Sequence, residues 1–304
     1  MLSNPVADPL FWPTARTLGA ILGLGLALLL VAECRHLGQP WERVLFQRWA
    51  VWAVIAPIYA LAVLGGPTPL LILVALLVWQ ALREYSRLVG LPTLYVRVLI
   101  LAGLAILPLA LHSAEAFFGI LPLILIVATL QPLLTRDVQQ GVRHLSIAVF
   151  GFAYLPLLLG HFVLIHTELP GGAGVLLVLG LATALSDVGA FAVGKLFGRH
   201  RLSPTISPNK TWEGVAGNLL GAYAGAWLLS FAVPEEHRVV GLFILPAVVA
   251  VGAVWGDLVE SLIKREFGTK DAGAWLPGFG GLLDRVDSLV VTTPLAYHLL
   301  RALS

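Results

Sequence analysis

The chain has 304 residues, 58% of them hydrophobic and 12% charged, with a mean hydropathy of +0.89 and a formal net charge of +2. That is about half the charge of a typical soluble domain, which excludes a water-soluble globule. The apolar stretches are continuous rather than alternating, which excludes a membrane β-barrel.

What remains is an all-α polytopic integral membrane protein. Each nearly charge-free run of about 20 residues is long enough to cross a hydrocarbon core about 30 Å thick as a helix. In chain order the expected spans lie near 15–33, 50–65, 68–82, 96–112, 115–134, 145–166, 172–194, 214–233, 239–263 and 283–301, about ten in all. The first basic residue is Arg16, so the start lacks the basic region of a signal peptide and the first span is read as a retained helix. Glu33 before Cys34 argues against a lipoprotein site, and a single cysteine permits no internal disulfide.

Short cytoplasmic loops carry an excess of lysine and arginine. The connections after the odd-numbered spans, with their edges, hold 16 of the 19 Lys and Arg residues, whereas those after the even-numbered spans hold only Arg238. The amino terminus is therefore expected outside and the odd connections inside, in a bacterial cytoplasmic membrane, with the basic loops facing anionic lipid or nucleotide. No nucleic-acid partner is expected.

Residues 1–170 read as an amino-terminal set of membrane helices, for anchoring and contact with a second copy in a homodimer, with Pro57, Pro108, Pro122 and Pro156 as kinks that a bundle in lipid tolerates. No catalytic constellation is visible there, and the run REYSR at 83–87 reads as an interfacial anchor. Residues 171–304 read as a catalytic membrane domain with two polar cytoplasmic loops, 195–213 and 264–282.

The second part carries carboxylates where lipid-spanning helices rarely tolerate them. At a rise of about 1.5 Å per residue, Asp257 lies about 27 Å along a span entering from outside near Val239, and Asp187 about 22 Å along one entering near Gly172. Asp284 and Asp287, spaced i, i+3 on one helix side, open the last span from the opposite, cytoplasmic face. Four carboxylates from three helices thus share one layer, and such groups face one another, an ion or a watery cavity. Mg²⁺, one ion or two, is the natural partner, because it is held by a few carboxylates together with substrate phosphates and water. Asp257, Ser261 and Lys264 share a helix face, with Arg265, Lys270 and Arg285 adding positive charge nearby. The run GFGG at 278–281 lets backbone approach an anion before a helix start. The other loop brings Ser186, Asp187, Lys195, Arg199, His200, Arg201 and then SPNKTWEG, where Ser207, Lys210, Thr211 and Glu213 precede a helix that Glu213 can help to cap. His161, His166 and His298 read as packed or interfacial.

The run SLIKREFGTKDAGAWLPGFGGLLDRVD at 261–287 resembles the signature of the phosphatidate cytidylyltransferases, the CDP-diacylglycerol synthases, and the stretch from Ser186 through SPNKTWEG resembles that family's preceding region. The likeness covers about 180–290; the first 170 residues are similar only in being hydrophobic spans. It implies an Mg²⁺-dependent membrane enzyme joining CTP to phosphatidic acid. It also implies metal ligation by Asp257, Asp284 and Asp287. Catalytic contacts are implied for Ser261, Lys264, Arg265, Lys270, Asp271 and Arg285; substrate contacts are expected, from their charge and placement, at Ser186, Asp187, Arg201, Ser207, Lys210, Thr211 and Glu213. The pattern departs at Phe279, where the family has a histidine; phenylalanine neither donates a hydrogen bond nor carries a proton. Rival readings are a CTP-dependent transferase acting on another lipid phosphate, an ion-coupled transporter, and a scaffold.

Overall fold

The computed structural model describes residues 2–32, 44–269, 273, 275 and 280–303. Cys34, Lys270, Asp271, Gly278 and Phe279 lie outside the described residues.

Helix α1 (Phe11–Ala32) and α2 (Val44–Leu64) form an outer pair, joined where Trp49 Nε1 donates to the Leu22 carbonyl at 2.9 Å. Their exposed apolar side chains, such as Leu24, Leu28, Val54 and Ile58, suit a lipid-facing surface. Then follow α3 (Pro67–Leu88) and α4 (Thr93–Ile106), the latter running into a 3-10 turn at Leu107–Leu111 that contains Pro108. Next come α5 (Ala114–Gly119) and α6 (Leu121–Thr135), broken just before Pro122. A π-helical turn at Ala153–Leu157, holding Pro156, joins α7 (Gly141–Phe152) to α8 (His161–Glu168). A proline removes one amide donor, so three of the four named prolines sit where the regular ladder changes, while Pro57 lies inside unbroken α2.

Helix α9 (Gly172–Phe197) leads into an antiparallel hairpin, β1 (Arg201–Ser203) with β2 (Ser207–Thr211), pairing Arg201 with Thr211 and Ser203 with Ser207. This hairpin occupies the stretch expected to be a plain loop. Helix α10 (Trp212–Leu228), α11 (Leu245–Glu266, preceded by a π-helical turn at Val240–Ile244) and α12 (Leu283–Leu303) complete the chain.

All ten predicted spans coincide with helical segments. Eight helical segments among the described residues are long and apolar enough to cross a membrane. The two others fall short for visible reasons: α10 has 17 residues, and α12 carries Asp284, Arg285, Asp287 and Arg301. The chain is an integral membrane protein of the all-α polytopic kind.

Two close helix contacts position the functional region. On α10, Gly217, Gly221 and Gly225 recur every fourth residue against α9, where added methyl groups would overlap the Gly189 and Leu185 carbonyls and the Ala182 backbone. On α11, Gly252 and Gly256 meet α12 in the same way, at Thr292 and at the Asp287 carbonyl. Without a strong apolar drive between helices in lipid, such small-residue stripes let backbones pack closely. One apolar core then runs from Ala60 on α2 to Leu300 on α12, across position 170. Hydroxyls tie the halves: among them, Tyr59 donates to the Leu176 carbonyl at 2.6 Å, and Tyr154, in the π-helical turn, to the Gly256 carbonyl at 3.3 Å.

Candidate active site

A cavity of ≈ 790 Å³ opens among α2, α9, the hairpin, α10, α11 and α12. Asp187 of α9, Asp257 of α11, and Asp284 and Asp287 of α12 all line it, as do Ser207, Lys210, Thr211 and Arg285. The close approach of Gly256 to the Asp287 carbonyl sets the next residue, Asp257, beside α12.

The tightest acidic group is Asp257, Glu260 and Asp287, which can each offer a carboxylate oxygen so that all three lie within 4.8 Å of one another. Asp287 is 6% and Glu260 1% exposed, and Glu260 Oε1 is a buried oxygen with no hydrogen-bond partner among the described residues. A buried, unpaired carboxylate oxygen is expensive. The carboxylates of Asp187, Asp257, Glu260, Asp284 and Asp287 gather here with Lys264, while Arg48, Lys195, Lys210 and Arg285 line the cavity, and a few such carboxylate oxygens are what a hard divalent cation binds. The oxygen-only donor set and the orphaned oxygen fit Mg²⁺.

Lysines partner the acids. Lys210 Nζ, reaching from β2, lies 2.5 Å from Asp257 Oδ2, whose other oxygen accepts from Ser261 Oγ at 3.3 Å. Lys264 Nζ bridges Glu260 at 2.8 Å and Asp284 at 2.7 Å, and Asp284 Oδ2 also accepts the Gly281 N–H at 2.8 Å. Asp284 is thus occupied by a lysine and a backbone amide and stands outside the triad; Glu260 takes the place the sequence reading gave it. Ser288 caps its neighbour, donating its N–H to Asp287 Oδ1 at 2.8 Å and its hydroxyl to Asp187 Oδ1 at 3.4 Å.

Four expected substrate or catalytic contacts are placed otherwise. Ser186 is fully buried and donates to the Thr183 carbonyl within α9, away from the cavity. Arg201 is exposed on β1 and does not line the cavity. Arg265 donates from Nε to the Ile206 carbonyl at 3.3 Å and so tethers the hairpin to α11. Thr211 is the cap of α10, accepting the Gly214 N–H at 3.1 Å, with Glu213 in the first turn. Glu213 holds the preceding turn, accepting from the Arg199 and His200 amides and meeting His200 Nδ1 at 2.6 Å. His200 and those amides hold its carboxyl well below the usual range, at about 2.

Residues from the amino-terminal part also reach the site, where no constellation was expected. Arg48, Trp49 and Trp52 of α2 line the cavity. Glu84 corrects the reading of REYSR as an anchor: it is 2% exposed and accepts the Leu283 N–H at 2.8 Å. Asn218, 2% exposed, lines the cavity with its Oδ1 unpaired. Glu260 had a signal, its i+3 spacing from Asp257; Glu84 and Asn218 had none beyond being polar in apolar helices.

The Cytidylyltransferase family model matches residues 46–303. The chain is 40% identical to the phosphatidate cytidylyltransferase of Mycobacterium leprae (strain TN) over 166 residues, 55% of this chain and 53% of that protein. It is 32% identical to the phosphatidate cytidylyltransferase of Thermotoga maritima over 247 residues, 72% of this chain and 90% of that one. It is also 31% identical to the uncharacterized protein YnbB of Escherichia coli (strain K12), over 84% of this chain and 86% of that one. Against the mycobacterial relatives the match spans about half to two thirds of their length, 53% in Mycobacterium leprae and 66% in Mycobacterium bovis.

Proposed function

Because the chain belongs to the cytidylyltransferase family, we propose that it transfers the cytidylyl group of CTP to phosphatidic acid, giving CDP-diacylglycerol and pyrophosphate in phospholipid synthesis. The observation that carries this reading is the Asp257–Glu260–Asp287 group, two of its three acids buried, flanked by Lys210, Lys264 and Arg285 beside one cavity. The names of the relatives from Mycobacterium leprae and Thermotoga maritima point the same way.

In the reaction a phosphate oxygen of phosphatidate attacks the α-phosphorus of CTP, the bond to the β-phosphate oxygen breaks, and pyrophosphate leaves. Such transfers rest mainly on positioning and charge neutralisation. Asp257, Glu260 and Asp287 would hold Mg²⁺, which supplies Lewis-acid neutralisation of the polyphosphate. Lys264 and Arg285 bind phosphate oxygens of the nucleotide. Lys210 exchanges Asp257 for an incoming phosphate. Trp49 and Trp52 border the cavity on the α2 side, where the acyl chains of the acceptor remain among apolar helices. The cavity faces the cytoplasm, where CTP is found, and the membrane is a bacterial cytoplasmic one; the placement of lysine and arginine supports that orientation.

Purified protein in lipid, given labelled CTP, Mg²⁺ and phosphatidic acid, should form a lipid-soluble nucleotide, and Asp287→Asn should not. Phe279 favours a second reading, a different lipid phosphate as acceptor. Tight CTP binding without product from phosphatidate, and product from another lipid phosphate, would decide for it; no CTP binding would sink both.

A further inference from the structure

A carboxylate buried in a helical bundle and, among the described residues, in no ion pair needs a reason. Glu84 of α3 has its reason on a different helix, 199 residues away in sequence: its Oε2 accepts the N–H of Leu283, the first residue of α12, at 2.8 Å. Its Oε1 accepts from Gln80 Nε2 at 2.8 Å, one turn earlier on α3, so both oxygens are fixed. The amides at a helix start have no partner within the helix and favour a negative charge. Among the described residues the side-chain partner of the Leu283 amide comes from α3.

The same carboxylate crowds two glycines of the segment before α12. A methyl group at Gly281 would lie 2.6 Å from Glu84 Oε2, and one at Gly273 would lie 3.1 Å from Oε1. The space beside the backbone is filled by Glu84. From there the hydrogen bonds run inward: the Gly281 N–H reaches Asp284, Asp284 holds Lys264, and Lys264 holds Glu260 of the acidic triad. Asp287 follows one turn along α12.

We propose that Glu84 is a positioning residue that caps α12 from α3 and thereby sets where Asp284 and Asp287 stand relative to Glu260. It touches neither nucleotide nor lipid. Gln80 orients it. The inference rests on the cytidylyltransferase reading for its catalytic consequence, while its structural core, the cap and the cation site, is tested without activity.

The experiment uses the full chain in detergent. Mn²⁺ alone is titrated by its paramagnetic signal, and hydrogen exchange is followed at the Leu283 amide, in wild type, Glu84→Gln, Glu84→Ala and Glu84→Asp. Glutamine keeps an acceptor in place and, with the Gln80 amide turned, keeps both bonds, so E84Q is expected within about threefold of wild type in Mn²⁺ affinity. E84A and E84D lose or shorten the acceptor, a loss of about tenfold to a hundredfold on the scale of one hydrogen bond to a charged group. Leu283 should then exchange faster by a similar factor. Where activity is present, kcat should fall in E84A and E84D and the cation concentration for half activation should rise, with KM for CTP changed less than threefold. Unchanged Mn²⁺ affinity and exchange in E84A would overturn the proposal, as would an E84Q that behaves like E84A. Should E84A not fold, Gln80→Met leaves Glu84 free to rotate and should weaken Mn²⁺ binding about threefold; wild-type affinity there overturns it equally. Inactive wild type with these shifts intact refutes the assigned reaction and leaves the positioning role standing.

Discussion

Lys210 of β2 clamps Asp257 of α11, Nζ to Oδ2 at 2.5 Å, and so closes the hairpin over the acidic triad. One amine holds an oxygen that a cation would also claim.

Replacing Lys210 by methionine should therefore move two affinities in opposite directions. Mn²⁺ alone should bind about two- to fivefold tighter, because Asp257 is 40% exposed and a partly solvated ion pair is worth about 0.2–1 kcal/mol. CTP, having lost a charged donor, should bind about tenfold or more weakly. Parallel titrations with Mn²⁺ and with CTP check this: Mn²⁺ affinity that does not rise would remove Lys210 as competitor, and CTP affinity that does not fall would remove it as phosphate ligand.

Glu260→Gln should reduce turnover by about a hundredfold or more, on the scale of removing one group that neutralises developing charge, while leaving the fold intact because Lys264 keeps Asp284. A chelator should abolish turnover in wild type, and added Mg²⁺ should restore it. Turnover that survives both treatments would remove Glu260 and the cation from the reaction.

The glycine stripes give a prediction in stability. Gly221→Ala puts a methyl group on the Leu185 carbonyl, and Gly256→Ala puts one on the Asp287 carbonyl. Each should cost about 1–3 kcal/mol by overpacking, read as a lower melting temperature in detergent. Gly256→Ala should also impair turnover of the folded fraction, since it pushes α12 away from Asp257. Gly23→Ala on α1, where a methyl group meets nothing within 4 Å, should instead be neutral or stabilising by up to about 1 kcal/mol.

Glu213 makes the turn before the hairpin sensitive to acid. Its carboxyl is held from an ordinary 4.5 down to about 2 by His200 and the Arg199 and His200 amides. A depressed acid stabilises the folded turn fully above the unfolded value, and this contribution fades as pH falls below about 4.5 and is gone below about 2. Hydrogen exchange at the Arg199 and His200 amides, corrected for intrinsic rates, should speed up across that window. In Glu213→Gln the acceleration should vanish; its persistence would assign the protection to another group.

The membrane class, the places of the helices and four of the site's carboxylates, Asp187 among them, could be read from the sequence because each leaves a local mark. Charge-free runs mark spans, and Asp257, Asp284 and Asp287 stand out against apolar neighbours. Roles were harder than positions. The i, i+3 step from Asp257 to Glu260 is visible in the sequence, yet Lys264 pairs with both Glu260 and Asp284, and only the fold brings the Gly281 amide to Asp284. The hairpin at 201–211 hid because its strands have three and five residues and no alternating apolar pattern. Glu84 was out of reach for a different reason: its partner lies 199 residues away, and no local spacing encodes that distance.

Where the amino-terminal helices dock on the rest, Tyr59 and Tyr154 bond to main-chain carbonyls, of Leu176 and Gly256. Every amino acid offers such a carbonyl. Leu176 can therefore be exchanged over generations for another apolar residue without loosening the joint, provided the tyrosine on the opposing helix persists. A lineage of such proteins is free to rewrite much of its outer helices while the catalytic helices stay seated, so sequence likeness can fade toward the amino terminus with the architecture intact.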